Sequence, residues 1–85
     1  MKEIRILGLL IIDRIKEAGQ TQRLLTDNAA IIRSRLGFHE VTEATCSRTG
    51  VILLQLTGSS DQQDLLEASL RALRGVEVQR MRFEL

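Results

Sequence analysis

Proline, tryptophan and tyrosine are absent from this 85-residue sequence, and phenylalanine occurs only twice. Turns must therefore depend on glycine and asparagine, and the core must be built from leucine, isoleucine and valine. A single cysteine excludes an intramolecular disulfide and favours a reducing compartment. At this length we expect one domain, residues 1–85, with a small core.

The charges are nearly balanced, with twelve basic and eleven acidic side chains and a formal net charge of +1. Such a chain has no overall field that attracts nucleic acid or an anionic membrane, and no helix-turn-helix pattern is present. The apolar run "ILGLLII" at 6–12 is too short to span a bilayer. No signal-peptide cleavage pattern follows this run. We therefore predict a cytoplasmic protein that binds neither a membrane nor nucleic acid directly.

The sequence has none of the patterns that are typical of an enzyme site. There is no Ser/His/Asp set, no CxxC pair and no glycine-rich phosphate loop, and the single histidine has no identified partner. We predict that the chain is not an enzyme and uses no cofactor.

Hydrophobic patterning predicts four strands and two helices in the order βαββαβ. The predicted strands are 4–12, 29–38, 51–56 and 76–85, and the helices follow Asp13 and begin near Ser60. This order is that of the α+β ferredoxin-like fold, a four-stranded antiparallel sheet with two helices on one face. The first and third strands are the most apolar, as central strands should be, while the second and fourth carry arginines, which suit sheet edges.

Local signals predict how the elements begin and end. Asp13 is expected to cap the first helix and Asn28 to end it. Ser60 and Gln63 have the spacing of a capping box for the second helix, and Gly75 is expected at its C′ position. The apolar pattern changes phase within the last strand, which predicts a bulge or a tail that continues past the sheet.

Two helices can cover only one face of the sheet, so the other face is predicted to expose large aliphatic side chains. We assign Leu7, Leu9, Ile11, Val51 and Leu53 to this helix-free face. Soluble monomers rarely expose an apolar patch of this size. We therefore predict a homo-oligomer, a dimer or a tetramer, in which sheets pack face to face or join edge to edge.

Four segments together resemble the iron-only hydrogenase system regulators, a family of small stand-alone ACT-like domains. They are "ILGLLIIDR" at 6–14, "IIRSRLGF" at 31–38, "GVILLQLTG" at 50–58 and "LRALRGVEVQ" at 70–79. The most telling elements are the Asp-Arg pair after the first strand, the Arg-x-Gly ending of the second, and Leu-x-x-Leu-x-Gly-Val before the fourth. The resemblance covers nearly the whole chain. It departs from the family at His39, where members often have proline.

This resemblance implies a regulatory module that senses a small molecule as a homo-oligomer and passes the signal to a partner protein, in transcriptional or hydrogenase-system regulation. In ACT domains the turn after the first strand borders the effector pocket, which implies Asp13 and Arg14 as ligand contacts. Arg35 and Gly37, at the end of the second strand, are further candidates. Arg33 and Arg35 could line a groove for an anionic ligand at an interface. Two other interpretations remain: Asp13 only caps the helix, and Arg33 and Arg35 are solvated residues of an edge strand.

No metal site is predicted, and the candidates for one are His39 and Cys46. The C-terminal domain of the nickel-responsive repressor has the same βαββαβ plan and binds nickel through several histidines and one cysteine. Here a symmetric pair of chains would supply only two of each, and only with both residues near the symmetry axis. Three functions stay open: a ligand-sensing regulator, an assembly protein without a ligand, and a metal-responsive sensor.

Overall fold

The computed structural model describes residues 3–38 and 49–85. Its elements follow the predicted order, with a short 3-10 turn at Ala29–Ile31 before the second strand. The strands are β1 (Glu3–Ile11), β2 (Ile32–Phe38), β3 (Gly50–Leu56) and β4 (Val76–Glu84), and the helices are α1 (Arg14–Asp27) and α2 (Ser60–Arg71). No helix in these two ranges is long and apolar enough to cross a membrane.

The four strands form one antiparallel sheet in the order β2-β3-β1-β4. The two most apolar strands therefore lie in the middle, where side chains on both faces are covered most readily. The strands with two arginines each, β2 and β4, lie at the edges. The prediction of an α+β ferredoxin-like fold is confirmed.

The core lies between the sheet and the two helices, and among the described side chains its hydrophobic cluster consists of aliphatic residues. Its members are Leu7, Leu9, Ile11, Leu25, Ile31, Ile52, Leu54, Leu56, Leu66, Leu70 and Val78. Leu25 comes from α1, and Leu66 and Leu70 come from α2, so both helices cover the same face of the sheet. This composition follows from the scarcity of aromatic residues, because only branched aliphatic side chains are available in number.

The assignment of Leu7, Leu9 and Ile11 to the helix-free face is wrong. All three are buried beneath the helices, because the register of β1 with β3 places them beside the buried residues of β3. β1 is apolar on both faces, so its pattern alone did not show which alternate set faces the helices. Val51 and Leu53 lie on the helix-free face, as predicted.

The ends of α1 follow the local signals. The Asp13 carboxylate accepts a hydrogen bond from the backbone N–H of Lys16 at 3.3 Å, the geometry of an N-cap. After α1 ends at Asp27, the side-chain amide of Asn28 donates to the carbonyl of Leu24 at 2.8 Å. The backbone N–H of Asn28 donates to the same carbonyl at 3.2 Å, so Asn28 closes the last turn of the helix with two hydrogen bonds.

The cap of α2 lies one residue earlier than predicted. Ser59 is the N-cap, and its partner in the capping box is Gln62, not Ser60 with Gln63. Two adjacent serines followed by two adjacent glutamines offer the same spacing in either frame, so the sequence could not choose between them. Gly75 has the positive φ of a glycine turn, 78°, but it lies beyond the Ala72 C-cap and leads into β4.

The strand irregularity lies in β2 and not in β4. The register of β2 with β3 shifts between Ile32 and Ser34, and residues 29–31 form the 3-10 turn instead of strand. β4 pairs with β1 in an unbroken register from Val76 to Glu84, so of the two alternatives predicted for β4, a bulge or a tail beyond the sheet, the bulge is wrong. The phase of its pattern changes because the apolar residues pass from the helix side to the helix-free side along a regular strand.

Candidate functional site

Apolar side chains cover the sheet face that the helices leave uncovered, which we call the open face. Its residues are Ile4, Ile6, Leu10, Leu36, Val51, Leu53, Met81 and Phe83. Leu36, Leu53, Met81 and Phe83 are between 40% and 61% exposed. This exposure is large for leucine, methionine and phenylalanine side chains that share one face of a sheet, so the open face is suited to covering by another surface.

Cross-strand pairing makes the open face continuous over all four strands. Leu36 of β2 pairs with Leu53 of β3, and Ile4 of β1 pairs with Phe83 of β4. Of the described strand residues whose register places them on this face, only Glu77 carries a charge. The face is therefore apolar in its interior and offers little electrostatic resistance to being covered.

A cavity of about 450 Å³ opens at one end of the sheet, where β3 leads into α2; we call it the end cavity. Its lining residues are Glu3, Ile4, Arg33, Gln55, Leu56, Thr57, Gly58, Ser59, Ser60 and Leu85. Gly58 forms part of the wall with φ at 93°, and a Cβ there would meet Oε1 of Gln62 at 2.8 Å and Cγ2 of Ile31 at 3.0 Å. Only glycine fits this turn without strain.

Glu3 forms the acidic wall of the end cavity, and its carboxylate has a full set of donors. Oε1 accepts hydrogen bonds from Ser60 at 2.7 Å and from Arg5 at 3.0 Å. Oε2 accepts from Arg82 at 2.7 Å and from Arg5 at 3.3 Å. The Ser60 hydroxyl and the Arg5 guanidinium, helped by Arg82, lower the pKa of Glu3 from 4.5 to about 2. Glu3 is therefore ionised and saturated near neutral pH.

Arg5 joins this wall to α2 through a buried ion-pair network. Its side chain is only 2% exposed, and Nη1 lies 2.8 Å from Asp64 and 3.2 Å from Glu67. Burial alone would lower the pKa of Arg5, but the hydrogen bonds with Glu3 and Asp64 outweigh burial and raise it. Arg71 extends the network along the helix, donating to Glu67 at 2.9 Å.

Three polar side chains of the end cavity have no partner in the described part of the chain. They are the Arg33 guanidinium, the Gln55 amide and the Thr57 hydroxyl, which come from β2, β3 and the residue after β3. The shift of register beside Ile32 takes Arg33 out of the regular ladder, and the residue then lines the cavity. Unpartnered donors on three adjoining segments therefore converge on one space.

The structure places the predicted ligand contacts apart from this cavity. Asp13 caps α1 beyond the end of β1, which agrees with its alternative interpretation, and the side chain of Arg14 lies outside the described residues. Arg35 pairs with Leu54 in the middle of β3 and donates to Gln22 of α1. Arg35 is therefore a bridge to α1 and does not lie next to Asp13.

Gly37 is an exposed residue of β2 that pairs with Ile52. A Cβ built at Gly37 would lie 3.9 Å from Cγ1 of Ile52, an ordinary contact, so packing does not require glycine there. A role of Gly37 in ligand binding stays a prediction.

The candidate metal ligands His39 and Cys46 lie outside the described residues. Within residues 3–38 and 49–85, no group of three or more histidine, cysteine, aspartate or glutamate side chains could hold a metal ion. The prediction that the chain has no metal site, with His39 and Cys46 as the candidate ligands, therefore stays a prediction.

Two residues of the site carry a signal in the sequence. Gln55 is the one polar residue in the apolar run "VILLQL", and Arg5 interrupts the apolar run of β1. A polar side chain in such a strand needs a partner or a cavity, so each marks a site of interest. Thr57 gave no signal, because a threonine after a strand is common in any turn.

In its backbone, the chain is similar to an uncharacterised protein of Thermotoga maritima, with a TM-score of 0.80 and 26% sequence identity over 98% of this chain and 100% of the other. A divalent ion tolerance protein of Ehrlichia chaffeensis matches with a TM-score of 0.52 and 17% identity, over 100% of this chain and 83% of the other. A formyltetrahydrofolate deformylase of Pseudomonas putida matches with a TM-score of 0.56 and 12% identity, over 92% of this chain but 28% of the enzyme.

The fold is the shared feature. At 12% and 17% identity, the latter two likenesses show the ferredoxin-like architecture alone. No protein-family model matches the sequence, and no curated protein matches it significantly. The resemblance to the iron-only hydrogenase system regulators therefore stays a prediction.

Proposed function

We propose that this chain is a regulatory module without catalytic activity, which works as a homodimer joined through the open face and responds to a small molecule. The observation that carries the proposal is the open face, with leucine, methionine and phenylalanine half exposed on β2, β3 and β4. The resemblance to the iron-only hydrogenase system regulators supports the same function and implies a partner protein that receives the signal.

A second copy of the chain is the occupant that the open face fits best. A two-fold axis brings the same patch of both copies together, so one apolar surface completes the assembly. Covering the exposed fractions of Leu36, Leu53, Met81 and Phe83 is worth roughly 3–6 kcal/mol per copy. The gain from two copies is comparable with the cost of association, about 4–15 kcal/mol. We therefore expect a dimer that dissociates on dilution.

A single charged substitution in the open face tests this proposal. Leu53→Lys places an ammonium group in the centre of the face, and its burial between two copies would be costly. Leu65→Lys is the matched control, because Leu65 is 71% exposed on α2, away from the sheet. Sedimentation velocity at about 50 µM should show a dimer for the unchanged protein and for Leu65→Lys, and a monomer for Leu53→Lys.

A monomeric unchanged protein at this concentration would contradict the proposal, and so would equal dissociation of the two variants. An assembly protein without a ligand would use the same face, and a bound small molecule would separate these two functions.

A further inference from the structure

We infer that the end cavity is an anion-binding site, in which Arg33 holds the carboxylate or phosphate group of a small molecule. The inference rests on the proposed function, because it names the class of ligand to which the regulatory module responds. It starts from the three unpartnered side chains that line the cavity, Arg33, Gln55 and Thr57.

The groups that are free to contact a ligand are mainly donors. The Arg33 guanidinium presents five N–H groups in a planar fork, a geometry that matches two oxygens of a carboxylate or phosphate. The Thr57 hydroxyl and the Gln55 amide can each donate one further hydrogen bond to such a group. One guanidinium and two neutral donors together favour a ligand with a negative charge.

Glu3, the acidic residue in the wall of the end cavity, is compatible with a negatively charged ligand. Both carboxylate oxygens of Glu3 already accept two hydrogen bonds each, and the donors include two guanidinium groups. Glu3 therefore has no free oxygen with which to hold a cationic ligand. The capping box of Ser59 and Gln62 likewise occupies the side chains of these two residues, so the side-chain donors that remain available in the lining are those of Arg33, Gln55 and Thr57.

The size and position of the end cavity fit a regulatory ligand. A volume of about 450 Å³ lies within the usual range of small-molecule sites. Ile4 and Gln55 line the cavity and also belong to the open side of the sheet. A bound anion would therefore contact residues at the rim of the surface that a second copy covers, which couples binding to association.

Titration of the ¹⁵N-labelled full chain with sodium phosphate and with sodium succinate tests the site, against sodium chloride at equal ionic strength. At least one probe should shift the backbone amide signals of Thr57 and Gly58 in a saturable manner below about 20 mM. Arg33→Gln should weaken that binding by about tenfold or more, since it removes a charged hydrogen-bond pair. Thr57→Val should weaken it by about threefold. Arg74→Gln, at an exposed arginine outside the cavity, should leave it within about twofold.

Two results would overturn the inference. One is that neither probe shifts the cavity signals; the other is that Arg74→Gln weakens binding as much as Arg33→Gln, the sign of a diffuse charge effect. Arg33 has no partner in the described part of the chain, so its replacement should leave the fold intact. Sedimentation of the same samples distinguishes failure of the proposed dimer from failure of the proposed anion site. A dimer that does not bind either probe would contradict only anion binding in the end cavity.

Discussion

At the scale of single residues, Glu3 and Arg5 show how ion pairs compensate for the burial of charged side chains beneath a helix in a small domain. Arg5 lies beneath α2 with carboxylates of Glu3, Asp64 and Glu67 around its guanidinium group. Replacing such a network with apolar residues of similar volume is often neutral, but removing one partner leaves a buried charge alone. The network therefore specifies where α2 lies on the sheet more than it adds stability.

The ionisation of Glu3 predicts how stability depends on pH. Its pKa in the folded protein is about 2, below the ordinary 4.5, so the ionised form stabilises the fold. This contribution is complete above pH 4.5 and is lost as pH falls from 4.5 through 2. Glu3→Gln, which imitates the protonated group, should be less stable than the unchanged protein at pH 7, and the difference should shrink steadily between pH 4.5 and 2.

Urea unfolding followed by circular dichroism at a series of pH values measures this difference. Asp27→Asn is the control, since Asp27 is an exposed residue at the end of α1, away from the open face, without an ion pair in the described part of the chain. Parallel pH profiles for unchanged protein and Glu3→Gln would contradict the prediction.

Residues whose partners are close in sequence could be predicted, and those with distant partners could not. Asp13 contacts Lys16 three residues on, and Asn28 contacts Leu24 four residues back, so local rules found both. Arg5 meets Asp64, 59 residues away along the chain, and a single sequence has no signal for that pairing. The same holds for the end cavity, which forms only when β2, β3 and α2 come together.

At the scale of the elements, the connection from β3 to α2 has the strictest conformational requirement, because Gly58 has a positive φ. Gly58→Ala should destabilise the fold by about 1–3 kcal/mol, because alanine tolerates a positive φ poorly and its Cβ would crowd Gln62 and Ile31. Gly19→Ala is the matched control within α1, where nothing lies within 4 Å of an added Cβ. It should stabilise the protein by about 0.5–1 kcal/mol, since alanine favours a helix.

Urea unfolding at one fixed protein concentration compares the two substitutions. Opposite signs are expected, and a loss of stability in both variants would show that Gly19 also has a packing role. Equal stability of Gly58→Ala and the unchanged protein would contradict the account of this turn.

Element type and order could be predicted because they depend on period and on local caps, while faces and irregularities could not. β1 and β3 are apolar on both sides, so period 2 alone left open which side carried the core. In β4 the regular strand simply exchanges its apolar side between Val78 and Met81. If every apolar residue of β4 is assumed to face the core, this exchange requires a bulge. The prediction made that assumption and therefore assigned the irregularity to the wrong strand.

At the scale of the whole molecule, the balance between apolar gain and association cost makes stability depend on concentration. We expect the melting temperature to rise by about 3–5 °C for each tenfold increase in protein concentration, because unfolding of a dimer releases two chains. Differential scanning calorimetry over two decades of concentration measures this. The melting temperature of Leu53→Lys should be independent of concentration, and a flat profile for the unchanged protein would contradict the dimer.

The regular alternation of β4 has a consequence for how this sequence can change. Even-numbered residues from Val76 to Glu84 face the helices, and odd-numbered residues from Glu77 to Phe83 face the open side. In this nine-residue strand the even-numbered residues therefore contribute to folding, and the odd-numbered residues contribute to the proposed pairing of two chains. Substitutions at the odd-numbered residues can alter the pairing of two chains without altering the core. The specificity of pairing can therefore change during evolution while the fold is retained.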